Sequence, residues 1–359
     1  MNNIKNTTYI WACEFDKSSG EGLLANEFIK YYLKFNINSK IILETPYLKY
    51  FISNGKVVKK LDLKKKNIFF YYKYFTPLIG VVKIIRQSYI VDTIIYLNYL
   101  PIWNFLLFLL LPAKTILGPV TGSNVKNNIH SLKQIVRFIL LPFFIFFSKK
   151  IILNKFRKII FSTNLIKNIN LVHYISNFSL IYLSSKNSRR KVFKDIDLVY
   201  YFRNHSNKFL KEEIYLLHKL IQLKFKILFC GDSLNNFSKL HINSLGYVPE
   251  AKLSALLDRC KFVIAPAENP HSFFIQKSIL SNVHIIFRKS QMKFIKNIYN
   301  SYSVIDVDNK NLLQSIIKVL EKKSRATKLS HKGALYKKIT NFLVYYFSSR
   351  KNSNSNQTK

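Results

Sequence analysis

Short apolar runs alternate with helical stretches along most of the chain. The first run, residues 9–13, predicts a buried strand, and residues 23–33 carry their apolar side chains on one face of a helix. A turn that contains two glycines joins the two elements. Strand, turn and helix together are the opening of a βαβ unit. Further strands are predicted in this half of the chain at 40–43, 67–72, 93–97 and 115–117.

The same pattern begins again in the second half of the chain. Strands are predicted at 197–202, 225–229, 262–265 and 284–287, and helices at 209–222, 250–259 and 273–280. Strands that alternate with helices predict parallel sheets covered on both faces. We therefore expect two α/β domains, over 1–185 and 195–330. The remaining segments are a charged linker within 183–194, a C-terminal helix over 331–347 and a disordered tail over 348–359.

The strongly positive charge of the chain indicates that its binding partner is anionic. Lys and Arg number 57 against 18 Asp and Glu, which gives a formal net charge of +39. Such an excess indicates nucleic acid, anionic lipid or a phosphorylated substrate. Lys, Asn, Ile, Phe and Tyr are abundant throughout, as an A+T-rich genome would produce, so any single lysine is first expected to be a solvated surface residue.

Hydrophobic content and cysteine count exclude other classes of protein. Hydrophobic residues make up 48% of the chain, which excludes an intrinsically disordered protein. Three cysteines, widely spaced, exclude a disulfide framework or a zinc cluster. A reducing, cytosolic setting follows as the simplest expectation.

Two apolar runs, 101–112 and 136–147, could span a membrane, lie against its surface or belong to the protein core. Both fall short of the roughly 20 apolar residues that a spanning helix needs. Residues 1–8 are polar, so we also expect no signal peptide. We favour a core helix for 101–112. For 136–147 we favour contact with anionic lipid, because cations follow it closely, and we predict peripheral attachment to the cytoplasmic face of a membrane. Those cations are Lys149, Lys150, Lys155, Arg157 and Lys158.

In the first half, glycine-containing segments follow two of the predicted strands. Ligands of open α/β sheets bind at the carboxyl ends of strands. Gly20 and Gly22 could let backbone amides approach a ligand at a helix N-terminus, or could form an ordinary tight turn. They lack the third glycine of a dinucleotide fingerprint. Residues 118–123, which include Thr121 and Gly122, form either a rigid turn or a loop that lines the site.

In the second half, charged residues follow two strands. Arg203 and Lys208 come just after strand 197–202, where two cations would neutralise a diphosphate. Glu268 lies in the loop after strand 262–265, where its carboxylate could accept hydrogen bonds from sugar hydroxyls. The backbone amides of the next helix N-terminus, at Ser272, Phe273 and Phe274, would meet phosphate oxygens. An ordinary strand–loop–helix connection remains open. His205 and His271 could lie near this site, but the histidines show no metal-ligand spacing, so we expect no metal.

The order of these residues resembles the donor-binding domain of group-1 (family 4) glycosyltransferases. The resemblance covers about 197–287 and extends more loosely to the first half through 20–22 and 118–122. It rests on Arg203 with Lys208, Cys230-Gly231-Asp232, Leu245-Gly246-Tyr247-Val248, and Glu268 with Gln276 at the position of the family's second glutamate.

This resemblance implies the GT-B architecture, in which two Rossmann-like domains face a cleft. The N-terminal domain would bind the acceptor and the C-terminal domain the donor, a nucleotide-diphosphate sugar. The acceptor would be a saccharide, expected to be lipid-linked, in the synthesis of a surface polysaccharide such as lipopolysaccharide or capsule. Transfer would retain the anomeric configuration and need no bound metal or cofactor.

The resemblance also assigns roles to residues of this chain. The catalytic set is Arg203, Lys208 and Glu268. The donor-binding set is Gly20, Gly22, Gly231, Val248, Ser272, Phe273, Phe274 and Gln276. The acceptor-binding set is Thr121 and Gly122.

Three alternatives stay open. The first is an inverting GT-B transferase or a nucleotide-sugar epimerase of the same shape. The second is an inactive relative that still binds a nucleotide sugar; Gln276 in place of a glutamate, and the lack of a histidine after strand 93–97, favour it. The third is nucleic-acid binding. It is disfavoured because no nucleic-acid module is recognised and the aromatic residues sit mainly in apolar runs.

Overall fold

The structure is a computed structural model, and the chain divides into two compact units with the division between Ser184 and Ser185. The predicted C-terminal helix over 331–347, the tail over 348–359 and most of the linker lie outside the described residues. The described ranges are 7–16, 20–36, 39–63, 69–121, 132–156, 159–161, 192–204, 211–234, 237, 240, 242, 244–267, 270–296, 298–307, 311–321 and 327–329.

The first unit has a seven-stranded sheet and, among its described residues, four helices. The strands are β1 (Thr7–Trp11), β2 (Lys40–Glu44), β3 (Leu48–Ser53), β4 (Lys56–Asp62), β5 (Thr93–Pro101), β6 (Ile116–Thr121) and β7 (Ile159–Phe161). The helices are α1 (Gly20–Phe35), α2 (Phe69–Ser88), α3 (Phe105–Leu110) and α4 (Leu132–Lys155).

The centre of this sheet is parallel. The strand order is β4-β3-β2-β1-β5-β6-β7. The four neighbouring pairs β2-β1, β1-β5, β5-β6 and β6-β7 are parallel. Tyr9 of β1 lies opposite Ile42 on one side and Ile94 on the other. The side chains of Tyr9 and Trp11 are fully buried. A central parallel strand is covered on both faces, which explains why β1 is a continuous apolar run rather than an alternating one.

An antiparallel hairpin, β3 with β4, forms one edge of the sheet and was not predicted. Its turn is Asn54-Gly55, and both residues have positive φ (48° and 77°), as the favoured type I′ turn requires. The Asn-Gly dipeptide is the one feature of the sequence that could have predicted this hairpin. Every residue of β4 is exposed, so no alternation of apolar and polar positions marks it as a strand.

The second unit has a five-stranded sheet in the order β13-β11-β10-β8-β9, with all neighbours parallel. A short antiparallel pair, β12 with β14, lies outside it. The strands are β8 (Ile196–Phe202), β9 (Ile227–Gly231), β10 (Cys260–Ile264), β11 (His284–Arg288), β12 (Tyr299–Asn300), β13 (Ser303–Ile305) and β14 (Lys328–Leu329). The helices are α5 (Lys211–Gln222), α6 (Glu250–Asp258), α7 (Phe273–Leu280), α8 (Met292–Ile295) and α9 (Leu312–Glu321).

The strand predicted at 67–72 is wrong, because α2 begins at Phe69. Aromatic residues favour strands, but that preference is weak against tertiary context. Further along the helix, Thr76, Gly80, Ile84 and Ser88 are all buried at intervals of four residues. This helical period places one face of α2 against the protein, and the aromatic residues at 69–72 form the first turn of the same helix.

One other expectation about secondary structure is also wrong. Residues 118–121 form neither a turn nor a loop, because β6 continues through them to Thr121 and they pair with β5. The apolar run at 136–147 lies within helix α4, which continues through Pro142 and through the lysine pair at 149–150 to Lys155. Lysine is a good helix former, so the pair does not end the helix. The helix also contains Pro142, although an interior proline removes a backbone hydrogen bond and costs about 3 kcal/mol or more. None of the helices within the described ranges is long and apolar enough to cross a membrane.

Candidate functional site

The carboxyl ends of β8 and β9 bring together two residues that the sequence singled out. Phe202 and Gly231 are register partners at the ends of these strands, and exposed Arg203 follows directly. The Asp232 backbone N–H donates to the Phe202 carbonyl oxygen at 2.9 Å, and the Asp232 carboxylate accepts from the Asn204 N–H at 2.9 Å. Arg203 therefore leaves the sheet beside Gly231.

Gly231 has a conformation and an environment that no side chain would fit. Its φ is +115°, and a Cβ atom would lie 2.1 Å from the Phe202 carbonyl oxygen. Its N–H donates to the Gly246 carbonyl oxygen at 2.8 Å, and the Leu245 N–H donates to the Phe229 carbonyl oxygen at 2.9 Å. These bonds dock the turn that leads to Val248 against the end of β9.

We expect Gly231→Ala to destabilise the protein more than Gly246→Ala. Gly246 has a φ of +62° but open space around it, so alanine costs about 1–2 kcal/mol of backbone strain there. At Gly231 the contact with the Phe202 carbonyl adds overpacking worth about 1–3 kcal/mol. Free energies of unfolding from urea titration measure both. Equal losses for the two variants would contradict the close approach at Gly231.

An aromatic contact brings helix α7 to the same place. The Tyr201 ring, near the end of β8, stacks on the Phe274 ring with a centroid distance of 5.3 Å and an interplanar angle of 21°. Burial raises the pKa of Tyr201, and the nearby Arg203 guanidinium opposes that rise. Tyr201 was not predicted. Its position in the strand could have indicated a separate role, because side chains alternate between the two faces of a strand and Tyr201 therefore points away from buried Tyr200 and Phe202.

Helix α7 presents its N-terminus beside this stack. The Ser272 hydroxyl caps the helix by accepting a hydrogen bond from the Ile275 N–H at 3.4 Å. The amides of the first turn, at Phe273 and Phe274, lie at the positive end of the helix dipole, which favours an anion. The predicted residues Arg203, Gly231, Ser272 and Phe274 thus lie around the carboxyl end of β8.

Gln276 fixes the loop before the helix. Its amide nitrogen donates to the His271 carbonyl oxygen at 2.9 Å, and its side chain is 1% exposed. The Gln276 Oε1 atom accepts no hydrogen bond from any residue that the structure describes. The His271 ring bonds to the Tyr299 hydroxyl at 2.7 Å and stacks on that ring. Contact between Gln276 and a nucleoside stays a prediction.

A buried ion pair holds the end of the next strand, β10. The Arg288 guanidinium binds the Glu213 carboxylate through two bonds, Nε to Oε1 at 2.6 Å and Nη2 to Oε2 at 2.5 Å. The Tyr200 hydroxyl donates to the same carboxylate at 2.9 Å, and burial raises the pKa of Tyr200 well above its ordinary value. Arg288 Nη1 also donates to the Ala265 carbonyl oxygen. We call Glu213, Arg288 and Tyr200 the buried triad.

Gln291 extends this support along the loop. Its amide nitrogen donates to the Pro266 carbonyl oxygen at 2.7 Å, and its Oε1 accepts from the Arg288 N–H at 3.0 Å. Residues 265–267, directly before Glu268, are therefore held by side chains from β11 and the turn after it. Glu268 itself, and likewise Lys208, lie outside the described residues. Neither the buried triad nor Gln291 was predicted from the sequence.

In the first unit, Gly22 has a structural role that differs from the expected one. A Cβ atom at Gly22 would lie 1.7 Å from the Asp16 carbonyl oxygen, so the close approach is made by the protein's own backbone. The Asn26 amide donates to the Phe15 carbonyl oxygen at 2.8 Å and secures the same loop. Gly20, in contrast, has open space around its Cα atom.

A half-buried carboxylate, that of Glu21, lies at the carboxyl edge of the first sheet. Glu21 Oε2 accepts from the Tyr99 N–H at 3.0 Å. Burial raises the pKa of Glu21 to about 7, and the Tyr99 N–H opposes the rise. Thr121 ends β6 opposite Pro101, at this same edge. Gly122 lies outside the described residues. Glu21 was not predicted to have a role of its own.

We expect Glu21 to make the stability of the protein depend on pH. The folded state binds its proton more tightly than the unfolded chain, whose ordinary value is 4.5. Its contribution is therefore complete below pH 4.5 and is lost as pH rises through about 7. A shift of this size corresponds to on the order of 3 kcal/mol. Urea titrations at pH 5 and pH 8 should show a smaller pH dependence for Glu21→Gln than for the native chain. An identical dependence would contradict the assignment.

No three His, Cys, Asp or Glu side chains in the described part of the chain lie together in a way that could hold a metal ion.

No family model matches the sequence, and no curated protein matches it significantly. Among solved structures, Anabaena HepE in complex with UDP-glucose is similar at 11% identity and a TM-score of 0.50, over 96% of this chain and 97% of that chain. HepE in complex with UDP and glucose is similar at 12% identity and a TM-score of 0.50, over 96% and 98%. A glycosyltransferase from Rickettsia africae matches at 17% identity and a TM-score of 0.47, over 97% of each chain.

The chain has a GT-B fold. The predicted fold class, mixed α/β with two parallel-sheet domains, is confirmed. At these identities the similarity concerns the fold, and membership in family 4 stays a prediction.

Proposed function

We propose that this GT-B protein transfers a sugar from a nucleotide-diphosphate sugar to a saccharide acceptor. The observation that carries the proposal is the arrangement around the end of β8, where exposed Arg203 lies beside Gly231 and the N-terminus of α7. A cation and a positive helix end around one point suit a diphosphate. HepE was crystallised with UDP-glucose, which supports a nucleotide sugar as the donor.

The departing diphosphate would be stabilised by Arg203, Lys208 and the α7 amides. Electrostatic stabilisation of this kind is commonly the largest single contribution to catalysis. Glu268 would hold hydroxyl groups of the donor sugar, on a loop whose preceding residues are fixed by Arg288 and Gln291. In this mechanism no bound metal or cofactor takes part, and the anomeric configuration is retained.

The first unit would bind the acceptor. Glu21 and Thr121 lie at the carboxyl edge of its sheet, and we place the acceptor there together with Gly122. We propose a lipid-linked saccharide, presented at the cytoplasmic face of a membrane, in the synthesis of a surface polysaccharide such as lipopolysaccharide or capsule.

A second candidate is an inactive protein that binds a nucleotide sugar. Gln276 favours it, because a glutamine at this position offers no carboxylate and its side chain is buried against the His271 carbonyl.

One experiment tests both candidates. A thermal-shift screen of nucleotides and nucleotide sugars should identify the donor, since a ligand at 100 times its Kd stabilises by about 2.7 kcal/mol. The donor is then supplied with saccharide and lipid-linked acceptors, and the anomer of the product is determined. Consumption with retention supports the transferase. Binding without consumption favours the inactive relative, and the absence of any stabilising nucleotide or nucleotide sugar contradicts both.

A further inference from the structure

Helices α3 and α4 present apolar side chains to solvent at helical spacing. On α4, Ile139, Phe143, Phe146 and Leu153 follow each other at intervals of three, four or seven residues, which places them on one face. Phe143 is 60% exposed and Phe146 is 63% exposed. We define the α3–α4 surface by its exposed members: Leu106, Leu109, Leu110, Ile139, Leu140, Phe143, Phe146, Phe147 and Leu153.

The opposite faces of the same helices already form part of the core. Leu107 and Phe108 of α3 are buried, as are Leu141 and Ile152 of α4. The expectation that 101–112 is a core helix therefore accounts for only one of its faces. A helix that is apolar on both sides needs a second apolar partner, which solvent does not provide.

The two helices make one continuous surface. The Phe105 and Phe144 rings lie 5.2 Å apart between their centroids, and Lys155 Nζ donates to the Leu109 carbonyl oxygen at 2.5 Å. Large apolar patches of this kind on a protein surface mark interaction sites.

The segment of the chain that carries this surface has charges of a single sign. The chain holds 18 acidic residues, yet none occurs from Thr93 to Lys194, while 15 Lys and Arg do. Lys149, Lys150 and Lys155 lie at the C-terminal end of α4, next to the exposed phenylalanines. A partner for this surface must be apolar where it meets the phenylalanines and anionic where it meets the lysines.

We propose that the α3–α4 surface lies on an anionic lipid bilayer, with its phenylalanines and leucines among the acyl chains and its lysines against the headgroups. Such a monotopic contact needs apolar area together with cations at its rim. A second copy of the chain fits less well, because a two-fold contact would bring the lysines of one copy against those of the other, and the segment from 93 to 194 offers no acidic residue to pair with them. The proposal deepens the proposed function, since it says where a lipid-linked acceptor would be met. Vesicle binding, however, is measured without donor or acceptor, so the two can fail separately.

Vesicle co-sedimentation with the full chain tests the proposal. We expect binding to phosphatidylcholine vesicles that contain phosphatidylglycerol, weaker binding to pure phosphatidylcholine, and a loss of binding as salt rises. Phe143→Ser and Phe146→Ser should each weaken binding about tenfold, the effect of withholding one largely exposed phenyl group from the bilayer. Lys150→Gln should weaken binding to anionic vesicles about fivefold and leave neutral vesicles unaffected.

Phe193→Ser is the matched control, because Phe193 is 85% exposed but belongs to the second unit. It should bind vesicles as the native chain does, and unchanged melting temperatures show that the variants are folded. Equal binding to neutral and anionic vesicles, or no salt dependence, would overturn the electrostatic contact. Native-like vesicle binding by both phenylalanine variants would overturn the surface. A change in oligomeric state in these variants, measured by sedimentation without vesicles, would assign the surface to a second copy and overturn the proposal as well.

Discussion

Arg203→Ala is expected to lower the rate of sugar transfer by about 10²–10³-fold, the scale seen when one electrostatic donor to a transition state is removed. Arg203 follows the end of β8 beside Gly231, and the nearby Tyr201 ring stacks on Phe274 of α7, where we propose that the diphosphate binds. None of the ion pairs found between described residues involves Arg203. Its loss should therefore weaken catalysis with little effect on the free energy of unfolding.

Arg259→Ala is the control for this prediction. Arg259 precedes β10 at the amino edge of the same sheet, and its ion pair with Asp195 is exposed to solvent and so contributes little to stability. It removes the same charge from the same unit, so transfer should continue at the native rate. The measurement is kcat/KM with the nucleotide sugar identified by thermal shift. Native turnover in Arg203→Ala would overturn the assignment of the donor site.

The fold of the second unit could be predicted from the sequence as far as β11, whereas β12, β13, β14, α8 and α9 were not predicted. Its parallel strands are buried on both faces, so each is a short apolar run, and polar or turn-forming residues mark where it ends. Helix α7 has the predicted bounds, Phe273–Leu280. In the first unit, the strand predicted at 67–72 is wrong and the β3–β4 hairpin was missed. There, local preference and tertiary context disagree, as in the aromatic start of α2, or the signal is one dipeptide, as in Asn54-Gly55.

The proposed donor site was predictable only where it depends on strand order. Arg203 and Gly231 end neighbouring strands, so the pattern of the chain places them together. The contact of Tyr201 with Phe274 and that of Glu213 with Arg288 join residues more than 70 apart, and no local pattern encodes such pairs. A partial signal existed. Glu213 and Arg288 are charges at apolar positions of their elements, and a buried charge requires a partner.

Glu213→Leu should destabilise the protein by about 3–5 kcal/mol, because it leaves the Arg288 guanidinium buried without a counter-charge. Arg288→Met should cost a similar amount, because it leaves the Glu213 carboxylate buried without a counter-charge. The double variant Glu213→Leu/Arg288→Met should recover most of this loss, since apolar side chains of similar volume often replace a buried ion pair without cost. Urea titration of the four proteins gives the coupling energy directly. Single variants that each cost less than about 1 kcal/mol would contradict the burial of this pair.

The double variant also distinguishes the contribution of the ion pair to the stability of the protein from its contribution to the position of the loop before Glu268. It restores the balance of buried charge but removes the hydrogen bond from Arg288 to the Ala265 carbonyl, which holds the loop before Glu268. We expect a folded protein whose transfer rate is lower than its stability alone would explain, because the loop is no longer fixed from β11. Gln291→Leu, which removes the bond to the Pro266 carbonyl and leaves the ion pair intact, should lower the rate in the same way. Native transfer rates in both variants would show that the loop keeps its position without these bonds.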